Sequence, residues 1–453
     1  MSGSPLALGG RSERTRLGDE RPQRATMVAS DPRGTAMDFD FPPDDDPRRL
    51  AVREWRAAHP EPTQQDLADA GYVVPHWPQP WGIDADPIHQ VIIAQELEGL
   101  KVDRREGSPA SNAIGVGWAA PTIFLAGTEE QQRRYLPKIF NFEEVWCQLF
   151  SEPDAGSDLA NLATRAVRDG DEYVVNGSKI WSSGAHGSDL GILIARTDPG
   201  APKHQGISYF ICPMDTPGIT MSPIVDMTTA HSFNQVFFDD VRLHESLLVG
   251  EEGDGWRLAK VTLANERVSL SSAGSLWGAG PSAQMLQDLV VATGGVDDPI
   301  LRQRLARLHC EAEVLRLNRL RTLSAKLQGR TPGAEASIQK LMADEHGQVV
   351  MELAKELAGA DGMLEGSGPP GEIPAGMRGG ATEVNFPRGH ESQFPDVDPI
   401  WHYGYLFAPA LTLGGGTFAV QRNIVAEQVL GLPREPNVQA GMSWAETQTA
   451  RRS

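Results

Sequence analysis

From about residue 48 the apolar positions recur at helical spacing, as in Ile88, Val91, Ile92, Leu97 and Leu100, which predicts amphipathic helices. Thr128-Glu-Glu-Gln131 reads as a capping box behind the helix-stopping Gly127. A helical domain is therefore expected over 46–145, after an arm (1–45) that mixes Arg, Asp, Gly and Pro without apolar periodicity and reads as disordered. The period then changes. Tyr173-Val-Val and Ser178-Lys-Ile-Trp181 read as a hairpin around Asn176–Gly177, a pair suited to a two-residue type I′ turn. Leu190 to Arg196, Gly206 to Pro213 and Phe233 to Leu243 are further strand-like runs, so 146–245 is expected to be a β domain.

Helical spacing resumes after the turn-rich Gly250–Gly255. Asp297-Asp-Pro299 should start a helix running to Leu327, and Pro332 should precede another. Residues 364–395 hold many Gly and Pro and read as a long loop, and a last helix over Gly416 to Leu430 stops at Gly431 and Pro433. The third block is thus a C-terminal helical domain, 246–433, followed by a tail, 434–453.

Composition narrows the function classes. At 453 residues the chain has room for several domains, and its formal net charge of −19 opposes binding to nucleic acid or anionic membrane surfaces. An anionic ligand has to be met by local cations and N–H groups. No run of apolar residues reaches the roughly 18 needed for a membrane span, and no apolar secretory segment is evident near the N-terminus, so a cytoplasmic location is expected. Cys147, Cys212 and Cys310 lie far apart without metal-ligand spacing and are expected to be buried free thiols. His186, His204 and His231 likewise lack the spacing of a metal site. Gly250-Glu-Glu-Gly-Asp-Gly255 reverses the dinucleotide glycine spacing and reads as a turn before a helix.

The chemistry concentrates in WCQLFSEPDAGSD (146–158) and NGSKIWSS (176–183), which pair a hydroxyl- and amide-rich loop with a tryptophan on a strand. With GTEEQQRRYLP (127–137), FNQVFFDDVRL (233–243), LANERVSL (263–270) and GGTFAVQRNIVAEQVLGLP (415–433), in that order, the chain resembles the acyl-CoA dehydrogenase family over about 85–433. The resemblance implies an α+β multidomain fold: an N-terminal helical domain, a central β-barrel-like domain and a C-terminal four-helix bundle. It also implies FAD as cofactor and an acyl-CoA thioester as substrate. The α proton goes to a carboxylate base, the β hydride goes to flavin N5, and the electrons pass to an electron-transfer flavoprotein. A homo- or heterotetramer built on the C-terminal helices is the implied assembly.

Residue by residue, the resemblance assigns Gln148, Ser151 and Ser183 to flavin ring or pyrophosphate contacts, Trp181 to the flank of the ring, and Ser157 to the CoA pantetheine or diphosphate. Read without it, the serines are turn residues and Trp181 is a core aromatic. In many members a glutamate base precedes the Gly-Thr before the last helix; here Gly415 stands there, ahead of Gly416–Thr417. A subset carries the base in a Glu-Arg pair on a helix of the C-terminal domain, which makes Glu266, followed by Arg267, the candidate base. Gly415 can still offer its N–H to the thioester oxygen. Two segments that meet a neighbouring subunit's FAD depart from the pattern: Leu301-Arg-Gln-Arg304 replaces Arg-x-x-Phe-Gly, and Glu356 stands where a glutamine is usual. A carboxylate at 356 would repel a pyrophosphate unless turned away. Phe418 and Ala419, after Thr417, also replace polar residues. Two alternatives remain open, a catalytically silent subunit of a heterotetramer and an acyl-CoA oxidase.

Overall fold

The computed structural model describes residues 42–102, 112–228, 231–270, 283–292, 297–327, 333–359 and 399–452. Most of the expected N-terminal arm (1–45) and the whole Gly/Pro-rich segment 364–395 lie outside the described residues. The first block is helical: α1 (Pro47–Ala58), α2 (Gln64–Asp69), α3 (Pro87–Glu96), a π-turn (Gly115–Ala119), α4 (Ala120–Ala126) and α5 (Glu129–Phe140). α5 begins with the expected capping box: Thr128 Oγ1 accepts from Gln131 N, and the Gln131 side chain accepts from Thr128 N.

Seven strands follow: β1 (Trp146–Leu149), β2 (Arg165–Asp169), β3 (Glu172–Ser183), β4 (Leu190–Arg196), β5 (Ile207–Pro213), β6 (Ile219–Ile224) and β7 (Phe233–His244). They form one curled, half-barrel sheet in the order β1-β4-β2-β3-β7-β6, with β5 paired to β4. β1 and β4 are parallel; the pairs β2–β3, β3–β7, β6–β7 and β4–β5 are antiparallel.

The expected Asn176–Gly177 turn is not a turn. β3 runs unbroken through it, and the hairpin reversal falls at Gly170–Asp171, between the paired Asp169 and Glu172. Gly177 instead sits at a register shift in the β3–β7 ladder, with φ of 147°. A Cβ there would lie 2.6 Å from Thr164 Oγ1 and 2.7 Å from Thr164 Cα. Glycine is needed for a close backbone approach and a bulge, not for hairpin geometry. Gly177→Ala should therefore destabilise the protein by about 1–3 kcal/mol, as overpacking against immovable atoms does, read as a lowered denaturant midpoint.

The third block holds α6 (Gly255–Leu270), α7 (Ala283–Ala292), α8 (Pro299–Leu327), α9 (Ala336–Ala358), α10 (Pro399–Leu411) and α11 (Phe418–Ile424), which continues as a π-turn (Val425–Val429). α9 is central, buried along most of its length, and packs with Leu286, Leu301, Leu308, Phe407 and Leu411 in one core. Residues 434–453, read as a tail, contain a further helix, α12 (Trp444–Arg452). Cys147 and Cys212 are buried as expected, but Cys310 is exposed on α8. Among the described residues no helix is long and apolar enough to cross a membrane.

Candidate active site

The two signature motifs are joined by a buried ion pair. Lys179 occupies an inward position of β3, where alternation calls for an apolar side chain, and is fully buried. Its Nζ donates to Glu152 Oε1 at 2.8 Å and to the Phe150 carbonyl at 3.0 Å. Glu152 also accepts from Ala163 N and Thr164 N at 2.6 and 2.9 Å. Burial opposes its charge, but the Lys179 ammonium and these N–H donors prevail and hold its carboxyl below the usual glutamate range. Ile180 N donates to the Ser151 carbonyl at 2.8 Å, closing the same junction. The Ser-Glu-Pro and Ser-Lys-Ile-Trp strings are thus two halves of one lock, a function that pattern reading missed. The available signal was a lysine at the inward parity of a strand.

The residues expected at the flavin flank this lock in sequence on β1 and β3. Gln148, on β1, is half-buried, and its Nε2 is shut off from solvent without a hydrogen-bond partner. Trp181 has a left-handed backbone, φ 60°, rare for a bulky side chain. It marks the second register shift of β3, and the residue is 56% exposed. A strained backbone holding a large aromatic in solvent fits a surface built for a flat ligand. The ring meets Phe233 edge-on at 5.9 Å, and Phe233 packs against the core of the C-terminal bundle, so this end of the sheet adjoins the third block. Ser183 is half-buried and paired with Phe233 in the ladder. Its neighbour Ser182, not singled out by the sequence, is fully buried with an unpartnered hydroxyl. Unpartnered groups at Gln148 on β1 and Ser182 on β3, with an exposed indole at the residue preceding Ser182, fit the polar edge and flat face of a bound FAD.

Ser157 lies on the exposed stretch of the same loop, and the adjacent Asp158 pairs with Lys203 at 2.9 Å. The remaining candidates sit in the helical block. α6 is fixed by a buried hydroxyl relay: Thr262 Oγ1 lies 2.9 Å from Thr122 Oγ1 on α4 and 3.1 Å from the Tyr209 hydroxyl on β5. Glu266 and Arg267 follow one turn later on α6, and their side chains lie outside the described residues. Gly415 and Gly416 have φ of 65° and 94°, and Gln421 Nε2 donates to both carbonyls at 2.8 and 3.3 Å. Thr417 caps α11, its hydroxyl accepting from Val420 N. Glu356 does not stand alone: Arg304 holds it through two bonds of 2.7 Å. The two departures from the family pattern therefore neutralise one another.

Two of the histidines expected to be scattered come together. His186 and His231 stack at 4.4 Å, with Asn234 hydrogen-bonded to both. Among the described residues no cluster of metal-ligating side chains occurs.

The helical, half-barrel and helical blocks define the three-domain architecture of an oxidoreductase class, and comparison with known proteins gives the family. Residues 47–143, 147–241 and 253–430 match the N-terminal, middle and C-terminal domain models of acyl-CoA dehydrogenases. The chain is 38% identical over 372 residues to the acyl-CoA dehydrogenase IpdE1 of Mycobacterium tuberculosis, covering 82% of this chain and 87% of that one. It is 37% identical over 386 residues to the acyl-CoA dehydrogenase FadE34 of the same organism, covering 85% of this chain but only 48% of FadE34. This chain thus spans about half the length of that relative. Among solved structures it is similar to the ChsE4–ChsE5 complex of M. tuberculosis, with a TM-score of 0.65, 30% identity, and coverage of 88% of this chain and 100% of that one. It is also similar to the Tcur3481–Tcur3483 steroid ACAD, with a TM-score of 0.65, 29% identity, and coverage of 86% and 96%. The chain belongs to the acyl-CoA dehydrogenase family, whose class is that of oxidoreductases acting on CH–CH groups.

Proposed function

We propose that this chain catalyses α,β-dehydrogenation of an acyl-CoA thioester with FAD as cofactor and an electron-transfer flavoprotein as electron acceptor, as a subunit of a tetramer. The observation that carries the reading is the lock between the two motifs, which joins the segment following β1, whose Gln148 has an unpartnered Nε2, to the end of β3 that carries the unpartnered Ser182 hydroxyl and the strained, exposed Trp181. Bound FAD supplies a two-electron acceptor, chemistry that no side chain provides. Gln148, Ser151, Trp181, Ser183 and Thr417 would hold it. Ser157 and Arg267 would hold the CoA portion.

An α proton beside a thioester is a poor acid, so its removal at neutral pH takes a carboxylate and donors aimed at the developing enolate oxygen. Glu266 is the proposed base. Its support is the Glu-Arg pattern, the absence of a side chain at Gly415, and its place one turn beyond the doubly anchored Thr262. The Gly415 N–H is the proposed oxygen donor. A glycine there also frees volume near the acyl group. With the steroid substrate class named for the Tcur3481–Tcur3483 pair, this favours a bulky, steroid-like acyl chain over a short one.

One observation favours a second reading, a heteromeric assembly in which the FAD sites are not equivalent. At the positions expected to reach a neighbour's FAD, Arg304 and Glu356 are occupied with each other, and the similar ChsE4–ChsE5 is a complex of two different chains. Flavin stoichiometry tests both. Purified alone, the chain is expected to be yellow. A colourless protein that gains flavin only on co-expression with a homologous chain would overturn the self-sufficient enzyme and support the heteromer, and peroxide formed in air during turnover would mark an oxidase instead.

A further inference from the structure

The family match ends at residue 430, yet the chain continues, exposed through 431–438, and returns to the β domain as α12. The return is specific. Trp444 N donates to the Ala201 carbonyl at 2.9 Å and Ala445 N to that of Pro199 at 3.1 Å. The Trp444 indole N–H donates to the Asn161 carbonyl at 3.3 Å, and Gln448 Nε2 donates to Asn161 Oδ1 at 2.6 Å.

Beneath the indole lies Arg196, 2% exposed, with its guanidinium carbon 4.5 Å from the ring centroid. That guanidinium donates to the carbonyls of Leu162 (3.0 Å), Ala160 (2.8 Å) and Lys203 (3.3 Å). Arg196 therefore ties the segment after Ser157–Asp158 to the one carrying Lys203, and Lys203 returns the connection through its ion pair with Asp158. A buried cation on carbonyl oxygens gains from an aromatic face that also excludes water. The other side of the loop is open: a cleft of about 830 Å³ separates Pro153, Asp154 and Ala155 from Trp444, Gln448 and Thr449. The start of the loop is held by the Glu152–Lys179 pair and its middle by Ala155, Leu159 and Ala160 in the core, so the contacts at Asn161 and Arg196 restrain its far end, beside the cleft.

We infer that α12 is a strap that sets the 151–162 loop for the acyl-CoA, with Trp444, acting through Arg196, as a positioning residue for substrate. The inference rests on the reading of that loop as the site of the CoA portion. The strap lies outside the residues matched by the family's domain models.

The test compares Trp444→Ala and Trp444→Phe in the full-length holoenzyme. Trp444→Ala is expected to raise KM for acyl-CoA about tenfold, the size of one desolvated cation–π contact. It should leave kcat within about twofold and flavin content unchanged, the mark of lost ground-state binding. Amide hydrogen exchange across 151–164 should quicken. Trp444→Phe, which keeps a ring over Arg196, should restore most of both. Wild-type KM and exchange in Trp444→Ala, an equal fall in kcat or flavin content, or no rescue by phenylalanine would each overturn the inference. Should Trp444→Ala fail to fold, Gln448→Ala removes only the bond to Asn161. A KM raised about two- to threefold, the size of one hydrogen bond, supports the strap, and an unchanged KM overturns it. A wild-type protein that turns over no acyl-CoA would instead refute the dehydrogenase reading, and the exchange comparison would still decide whether α12 holds the loop.

Discussion

Replacing Lys179 with Met should cost the fold about 3–5 kcal/mol, the usual consequence of leaving a buried charge without its partner. Glu152 would keep its two backbone donors, Ala163 N and Thr164 N, but lose the ammonium 2.8 Å away. The expected result is a large fall in denaturant midpoint together with loss of flavin, because the same residues tie the segment following β1 to β3 two residues before Trp181. The double variant Glu152→Gln with Lys179→Met should recover much of the loss, since neither buried charge remains. A double-mutant cycle on unfolding free energy separates this coupling from the contributions of packing. The pair also has a pH signature. Glu152 is held below the usual glutamate range, so its contribution is present above the unfolded value of about 4.3 and is lost as the pH falls through the lower folded value. Lys179→Met with a wild-type midpoint would show that the two motifs are not locked by this pair.

The second large effect is on chemistry alone. Glu266→Gln should lower kcat by about 10²–10⁴-fold, the range supplied by a positioned general base, while flavin content and acyl-CoA binding stay near wild type. Glutamine keeps the size of the side chain and removes only its capacity to take a proton. Glu266→Asp should fall between the two, because the carboxylate is retained but shortened by one methylene. Stopped-flow mixing of the oxidised holoenzyme with acyl-CoA reads the step directly. A Glu266→Gln enzyme that reduces its flavin at the wild-type rate would remove Glu266 as the base.

What the sequence made legible was local. The Thr128–Gln131 capping box, the helix starting at Pro299 and the strand runs at 190–196 and 207–213 all appear in the structure, because caps, proline at a helix start and apolar runs act within a few residues. The errors lie where a distant partner decides. Asn176–Gly177 carries the composition of a hairpin turn, but its role is set by Thr164, which approaches too closely for any Cβ. β6 (Ile219–Ile224) escaped notice because it is a short edge strand with no fully buried residue, whose apolar/polar alternation from Ile219 to Ser222 ends at Pro223. α12 was read as tail because its docking depends on Asn161 and Arg196, far away in the chain. The site divides along the same line. Motif resemblance nominated Gln148, Trp181 and Ser183, whereas the Glu152–Lys179 pair, the buried Ser182 hydroxyl, the Thr262 relay and the mutual neutralisation of Arg304 and Glu356 emerge only when separate segments are brought together. The last of these also changes the meaning of a sequence observation. An acidic residue at 356, which by itself argues against a nearby pyrophosphate, is already matched by a cation.

The most direct measurement is an anaerobic titration of the purified, flavin-loaded protein with acyl-CoA thioesters of increasing bulk, from short fatty chains to steroid-like side chains, followed by flavin absorbance. The yellow colour should be bleached by at least one of them, favouring the bulky end, and the same thioester should not bleach Glu266→Gln. A flavin that remains oxidised in the presence of every acyl-CoA, with the cofactor bound and the protein folded, would contradict the dehydrogenase reading.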